Sequence, residues 1–185
     1  MEGTDGALVD KAKAGDAGVF RELVERHSGR VFQLAYRITG NEQDAEDAVQ
    51  ESFLRAYRQI GRFDGKASFG TWLYRIAANC ALDVIRARAD RAAGAAQASE
   101  TASSDPTPER AAFSGEIRER MEDAMGELSP VERAAFVLRH FEGMGIAEIG
   151  EALGCQPGAA KHSVFRAVQK LRKALEPLTC GVKCK

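Results

Sequence analysis

Residues 63–91 decide the fold of this chain, and they read FDGKASFGTWLYRIAANCALDVIRARADR. A polar loop, Asp64 to Ala67, leads into a helix whose first backbone N–H groups Ser68 can cap. Apolar residues recur at helical spacing and predict one buried stripe, made of Trp72, Leu73, Ile76, Ala77, Cys80, Ala81 and Val84. The other faces carry an amide and several guanidinium groups, from Arg75, Asn79, Arg86, Arg88 and Arg91.

This helix has two interpretations. Single-stranded nucleic acid is bound by aromatic rings that stack on bases and by cations that contact phosphates, and this stretch offers both beside a polar loop. The alternative is an ordinary amphipathic helix, with Trp72 in the core and the arginines solvated. Composition and periodicity alone do not separate these interpretations.

Helical periodicity without β-alternation runs through the ordered parts of the chain and predicts an all-α fold. Asp16, Asn41 or Asp44, and Ser129 are predicted to cap helices, and Gly40 to end one. A stretch rich in Ala, Ser, Gly and Thr, with two prolines, lacks the apolar residues needed for a core and predicts a flexible linker. The predicted boundaries are 1–91 for a first small helical domain, 92–112 for the linker, 113–178 for a second helical domain, and 179–185 for a tail.

The charge balance limits the classes of protein that fit. There are 26 Lys and Arg against 27 Asp and Glu, for a net charge of −1. That balance argues against a protein that coats nucleic acid unaided, but it permits local basic faces and acidic faces that meet another protein. The N-terminus does not resemble a signal peptide, and no apolar run approaches the roughly 20 residues needed to span a bilayer. We therefore predict a cytoplasmic protein with no membrane insertion.

The C-terminal third has the arrangement of a helix-turn-helix. A short helix over 146–153 is followed by a tight turn, Gly154 to Pro157, and by a longer helix over about 158–175. This last helix has no acidic residue and presents several cations, as major-groove docking requires: Lys161, Arg166, Lys170, Arg172 and Lys173. The alternative is a helical bundle with a solvated basic face.

The sequence FGTWLYRIAAN at 69–79, followed by Asp83 and Arg86, resembles the promoter-melting segment of bacterial sigma factors. The group it is most similar to is the small, two-domain extracytoplasmic-function (ECF) sigma factors. LSPVER at 128–133 and IAEIGEALG at 146–154 resemble the family's domain that reads the −35 promoter element. The resemblance covers residues 20–88 and 115–175. It implies a region two helical bundle and a region four helix-turn-helix, with core RNA polymerase, promoter DNA and an anti-sigma factor as partners.

The resemblance also implies three sets of site residues. Docking on core polymerase is expected from Asp47, Gln50, Glu51 and Arg55. Capture of the −10 strand is expected from Asp64, Lys66, Ser68, Phe69, Trp72, Arg75, Asn79 and Arg86. Binding of the −35 element is expected from Lys161, His162, Ser163, Arg166 and Lys170. Ser163 departs from the family pattern, which has a basic residue there, so the usual −35 sequence is not expected to apply unchanged.

No nucleophile–base pair, phosphate loop or metal-ligand set is evident, so we expect neither an enzyme, a cofactor nor a structural metal site. Cys180 and Cys184 leave two interpretations open, a metal or redox sensor and an inert tail. The family's linker threads the RNA channel of polymerase, which implies that role for the acidic segment containing Glu100, Asp105 and Glu109. Two competing functions remain: a stand-alone helix-turn-helix regulator, and a sigma-like decoy that binds an anti-sigma factor.

Overall fold

A computed structural model describes residues 5–95 and 120–180 of the chain. Both ranges are helical, which confirms the all-α prediction. The helices are α1 (Asp5–Lys13), α2 (Ala17–Thr39), α3 (Glu42–Gln59), α4 (Phe69–Ala95), α5 (120–126), α6 (Pro130–His140), α7 (Ile146–Ala152) and α8 (Pro157–Cys180), with a 3-10 turn at Ile60–Arg62. The linker acids Glu100, Asp105 and Glu109 and the tail residue Cys184 lie outside the described residues, as does the side chain of Cys180.

The predicted helix ends are set by local capping. The Asp16 side chain accepts hydrogen bonds from the backbone N–H groups of Gly18 and Val19, at 3.0 and 3.2 Å. Asn41, rather than Asp44, caps α3, because its side-chain oxygen accepts the Asp44 N–H at 2.9 Å. Gly40 ends α2 with a φ of 71°, a left-handed conformation that favours glycine.

Two further helix starts follow the same rules. The Ser129 hydroxyl and the Glu132 carboxylate form a reciprocal capping box at the start of α6. The Ser68 hydroxyl accepts the Thr71 N–H at 3.1 Å and so caps the start of α4, as the sequence predicts.

Helices α1 to α4 form the first domain, and α4 crosses its centre. Leu73, Ala77 and Cys80 are fully buried there. Trp72, Ile76 and Val84 of the predicted stripe are only half-buried and pack against the edge of the core. Burial on α4 extends beyond a single stripe because α2 and α3 contact it together with α6 and α7 of the second domain.

Helices α5 to α8 form the second domain, and the order α7, turn, α8 confirms the helix-turn-helix. A Cβ on Gly150 would lie 2.8 Å from the backbone oxygen of Cys155, so glycine permits the close approach of α7 to the turn. The core face of α8 is made of Ala160, Ser163, Ala167 and Leu171, with Val164 and Val168 half-buried.

Two helices are longer than the sequence predicts. Helix α4 continues to Ala95, past the predicted domain boundary at residue 91, and α8 continues to Cys180 rather than ending near Leu175. Within residues 5–95 and 120–180, the helices are too short or too polar to cross a bilayer.

Candidate polymerase and nucleic-acid interfaces

The loop before α4 is folded by its own polar groups. The Asp64 carboxylate accepts the Lys66 N–H at 3.1 Å and pairs with the Lys66 ammonium at 2.8 Å. The hydrogen bond from the Lys66 side chain, with that from its backbone, holds the pKa of Asp64 below its ordinary value. Gly65 has a φ of 74°, which the tight turn requires. The loop therefore presents exposed charges on a defined backbone.

Three aromatic rings form a cluster beneath this loop. The Phe69 centroid lies 6.0 Å from that of Phe63 and 5.7 Å from that of Trp72, and the His27 ring meets Phe69 at 5.3 Å. Phe69 is only 4 % exposed. Its ring therefore belongs to the core in this arrangement, and a contact with the DNA strand would require the ring to become exposed. Trp72 is half-buried, so part of its ring stays accessible.

The polar residues along α4 differ in how they are held. Asn79 is exposed, and its side-chain N–H donates to the Arg75 carbonyl oxygen at 3.0 Å. Arg86 is 65 % exposed and pairs with Asp83 at 3.3 Å. The Arg75 guanidinium instead faces the second domain, where it contacts Glu151 at 2.7 Å and Glu148 at 3.5 Å.

The predicted docking helix, α3, presents a partly acidic surface. Asp47 and Gln50 are exposed, and Glu51 is half-buried. Arg55 is not free, because it bonds Glu51 at 2.7 Å and reaches Asp83 on α4 at 2.9 Å. These two hydrogen bonds raise the pKa of Arg55 further above its ordinary value. Arg55 therefore ties α3 to α4 and restrains the carboxylate of Glu51.

The start of α8 presents Lys161 and His162 to solvent. Ser163 is different, because it is 5 % exposed and faces the core of the second domain. Its expected contact with the −35 element does not fit this arrangement, because the Ser163 side chain points inward. The family's sequence pattern gives the usual residue type at this position, but it does not show whether the position is buried.

Arg166 and Lys170 share a buried acid. Arg166 lies 3.3 Å and Lys170 2.7 Å from the Glu132 carboxylate. Burial alone would raise the pKa of Glu132, but hydrogen bonds from Lys170 and Ser129 outweigh it and hold the pKa below its ordinary value. Arg166 remains 64 % exposed and Lys170 45 % exposed, so both can still reach outward.

Comparison with known proteins matches both domains to one family. Residues 23–91 match Sigma-70 region 2, and residues 118–171 match Sigma-70 region 4. The RNA polymerase sigma-H factor of Pseudomonas aeruginosa is 34 % identical over 183 residues, covering 94 % of this chain and 95 % of the relative. The ECF RNA polymerase sigma factor SigW of Bacillus subtilis is 34 % identical over 179 residues, covering 92 % and 96 %.

This chain belongs to the ECF-type RNA polymerase sigma factors. As a sigma factor it binds core RNA polymerase and promoter DNA and directs transcription initiation, and it is not an enzyme. A stand-alone helix-turn-helix regulator would leave the matched region 2 without a role, so that alternative is set aside. The decoy is set aside because the relatives, matched over 95 % and 96 % of their own length, are sigma factors.

Solved structures agree with this assignment of the sigma factor. CnrH, in its complex with the cytosolic domain of CnrY, is similar with a TM-score of 0.65 and 26 % identity, over 94 % of this chain and 97 % of CnrH. The sigma factor RpoE from Bartonella quintana, in complex with the anti-sigma factor NepR, has a TM-score of 0.68 over 85 % of this chain and 96 % of that one. At 21 % identity, the RpoE comparison supports the fold alone.

Several contacts of the sigma factor were not predicted from its sequence. His27 pairs with Asp5 of α1 at 2.9 Å and packs against Phe69, so α1 supports the base of the loop. The Arg133 Nε donates to the Arg37 carbonyl oxygen at 2.6 Å, across 96 residues of sequence. Helical periodicity and capping signals describe only neighbours along the chain, so they carry no information about such pairs.

Proposed function

We propose that this sigma factor uses three separate surfaces for its three binding tasks. The exposed part of α3 would dock on core polymerase, the loop and exposed side of α4 would capture the −10 strand, and the start of α8 would read the −35 element. This assignment rests on the types of side chain that each of the three elements exposes to solvent. An acid–amide face lies on α3, a preformed polar loop precedes α4, and cations lie on α8.

The docking surface consists of Asp47, Gln50 and Glu51, with Arg55 as a residue that restrains Glu51. An acidic face of this kind complements a basic partner surface, where charge complementarity guides association. The clamp helices of the polymerase largest subunit are the expected partner.

Charge reversal tests this docking surface. Asp47→Arg together with Glu51→Arg should weaken core binding at least tenfold, because like charges then face each other across the interface. The matched control is Glu22→Arg with Glu25→Arg, the same change in charge on the exposed side of α2. Affinity is measured by fluorescence anisotropy of labelled sigma factor, with circular dichroism as a check on helix content. Equal affinity of parent and docking variant would place the interface elsewhere.

The strand-capture surface retains seven of its eight predicted residues. Asp64, Lys66 and Asn79 are exposed, and Arg86 is directed to solvent beside Asp83. Arg75 would contribute a phosphate contact once its carboxylate partners leave. On α8, Lys161, His162 and Arg166 would contact base edges and Lys170 a phosphate, since base contacts specify sequence while phosphate contacts position the protein.

Run-off transcription with core polymerase on a genomic promoter library tests the whole assignment. Transcripts should depend on the added sigma factor and should map to a shared pair of promoter elements. We place the protein in the cytoplasm and expect a regulatory protein partner, supported by the similarity to CnrH, which was solved with the cytosolic domain of CnrY.

A further inference from the structure

The contact between the two domains covers part of the proposed strand-capture surface. Arg75 of α4 bonds Glu151 through Nη1 at 2.7 Å and approaches Glu148 through Nη2 at 3.5 Å. Both acids lie on α7 of the second domain. A guanidinium that is proposed to hold DNA phosphates therefore has carboxylates of its own chain as partners.

These carboxylates satisfy Arg75 only in part. The Arg75 Nε is buried and has no hydrogen-bond partner in the part of the chain that the structure describes. A guanidinium presents its donors as a fork that matches the oxygens of a phosphate as well as those of a carboxylate. The unsatisfied Nε shows that the two glutamates do not complete this fork, whereas an incoming phosphate has oxygens for both its Nη and Nε donors.

A third acid of the second domain, Glu142, faces the start of α4. A cavity of about 390 Å³ lies between the domains, with the Ser68 and Thr71 hydroxyls on one side and Phe141 and Glu142 on the other. Arg30 also lines this cavity. Burial raises the pKa of Glu142, and the nearby Arg30 and Arg37 oppose that rise. The second domain thus places acidic side chains opposite first-domain cations at two points.

The domains are also held together by contacts that involve none of the proposed strand-capture residues. The Arg133 guanidinium covers the C-terminal end of α2, where the absence of a Cβ on Gly40 leaves room for it. A Cβ on Gly40 would lie 2.8 Å from an Arg133 nitrogen. The Arg37 guanidinium lies 4.3 Å from the centroid of the Phe141 ring. These residues are in none of the proposed binding surfaces, so they can be changed without touching strand capture.

We propose that the second domain, through Glu148 and Glu151, competes with the promoter strand for Arg75. The strand-capture surface is then fully available only when the domains separate. This inference rests on the proposed role of Arg75 in strand capture. The ion pairs are partly exposed, with Glu151 at 66 % and Arg75 at 23 %, and pairs of this kind are individually weak. The strand can therefore displace the acids. The apparent affinity for the strand equals the intrinsic affinity multiplied by the fraction of chains in which the two domains are separated.

The test measures binding of a short fluorescein-labelled oligothymidylate strand to the full chain by anisotropy. Because phosphate contacts are independent of sequence, the probe does not require the promoter to be known. Glu148→Gln with Glu151→Gln should tighten binding about five- to tenfold, the range of a typical coupling between sites. Arg133→Gln should tighten it about two- to threefold by loosening the domain contact alone. Both variants should have a larger radius of gyration in small-angle scattering.

Two controls separate the explanations. Asp123→Asn with Glu127→Gln makes the same change in charge on exposed positions of the same domain, and it should leave strand affinity near that of the parent. Arg75→Ala, added to the Glu148→Gln and Glu151→Gln background, should remove the gain in affinity. High salt should reduce the difference between the parent and the acid variant, because both the ion pairs and the phosphate contacts are screened.

Three results would overturn the inference, and each has a different meaning. If Arg75→Ala weakens binding but neither the acid variant nor Arg133→Gln tightens it, Arg75 captures the strand without competition. If Arg75→Ala has no effect in the acid-variant background, the proposed role of Arg75 is wrong and the inference fails with it. If the charge control tightens binding as much as the acid variant, general electrostatics rather than the α7 contact is responsible.

Discussion

The two proposed DNA-binding surfaces of this sigma factor differ in accessibility. At the start of α8, Lys161 and His162 face solvent and Arg166 is 64 % exposed. On α4, the Arg75 side chain is 23 % exposed, and two carboxylates of the other domain contact its guanidinium. The proposed −35 surface therefore presents Lys161 and His162 directly, although Arg166 and Lys170 contact Glu132 of their own domain. On the proposed −10 surface, Arg75 would have to exchange the carboxylates of the other domain for phosphates.

The helix-turn-helix has the charges that produce this difference. Its first helix, α7, contains Glu148 and Glu151 and no basic residue, while α8 has no acidic residue before Glu176. The acidic helix lies against α4, and the start of the cationic helix is turned to solvent. Opposite charges on neighbouring helices thus let one small domain contact Arg75 of the proposed −10 surface while leaving the start of α8 open to solvent.

The largest effect is expected at Ser163, the buried position next to the exposed start of α8. Ser163→Arg would place a guanidinium at a position that is 5 % exposed, and we expect it to destabilise the chain by about 3 kcal/mol. His162→Arg, at the exposed neighbouring position, is the matched control and should change stability little. Urea unfolding followed by circular dichroism measures both. A stable Ser163→Arg protein with an altered −35 preference would restore the role that the sequence predicts for this position.

The next variant tests how strongly Glu132 binds the cations of α8 in the free protein. Glu132→Gln keeps the shape of the side chain but removes the charge that binds Arg166 and Lys170, and it should cost about 1–2 kcal/mol at neutral pH. The pKa of Glu132 is lowered in the folded state. Its contribution to the free energy of unfolding is therefore complete above the ordinary pKa of 4.5 and is lost as pH falls through the folded-state pKa. The variant should therefore lose less stability on acidification than the parent, as measured by urea unfolding at several pH values.

An equal loss on acidification in both proteins would show that Glu132 does not account for the pH dependence. Glu127→Gln is the control, since that carboxylate is exposed two residues before Ser129 of the α6 capping box. Duplex binding adds a second readout. Releasing Arg166 and Lys170 should strengthen binding to duplex DNA in the Glu132→Gln variant, even though its folded state is less stable.

A third variant changes Asn79, an exposed residue of the proposed strand-capture surface. Asn79→Ala should reduce open-complex formation about tenfold while leaving duplex binding nearly unchanged, because Asn79 contributes little to folding and lies beside the strand-capture loop. Permanganate footprinting of −10 thymines reports the opening. A pre-melted promoter should rescue a defect in opening, whereas a defect in holding the captured strand should persist on it. Parent-like melting by Asn79→Ala would remove this residue from strand capture.

The sequence predicts the fold well because helix starts are decided locally. Asp16, Asn41, Ser68 and Ser129 cap helices through hydrogen bonds to residues two or three positions away, so the signal and its effect lie in the same segment. The helix-turn-helix is predicted for a similar reason, since Gly154 and Pro157 bracket its turn.

The candidate sites were less predictable because their accessibility depends on contacts between distant segments. Ser163 and His162 are neighbours in sequence, but only the packing of α8 against α6 and α7 decides that one is buried. From the sequence alone, Arg75 is expected to be free to bind a strand. Its partners on α7 lie 73 and 76 residues further along the chain, so the local sequence does not reveal them. The aromatic pattern around Phe69 likewise fits a stacking surface or a core, and burial decides for the core.

The smallest expected effect compares two lysines on the same helix. Lys161 is exposed at the start of α8, whereas Lys170 already bonds the Glu132 carboxylate. Lys161 is proposed to contact a base edge and Lys170 a phosphate, but each cation that also neutralises phosphate charge releases counterions, and removing one lowers the log–log salt slope by about 0.9. Lys170 must first leave Glu132, so Lys170→Ala should change the slope by less than Lys161→Ala and should also lower stability. The measurement is duplex affinity at several salt concentrations, with a selection from randomised −35 sequences to detect any change in preference. Equal slopes for the two variants would show that the bond to Glu132 is broken on binding at no measurable cost, and that the two lysines differ only in the free protein.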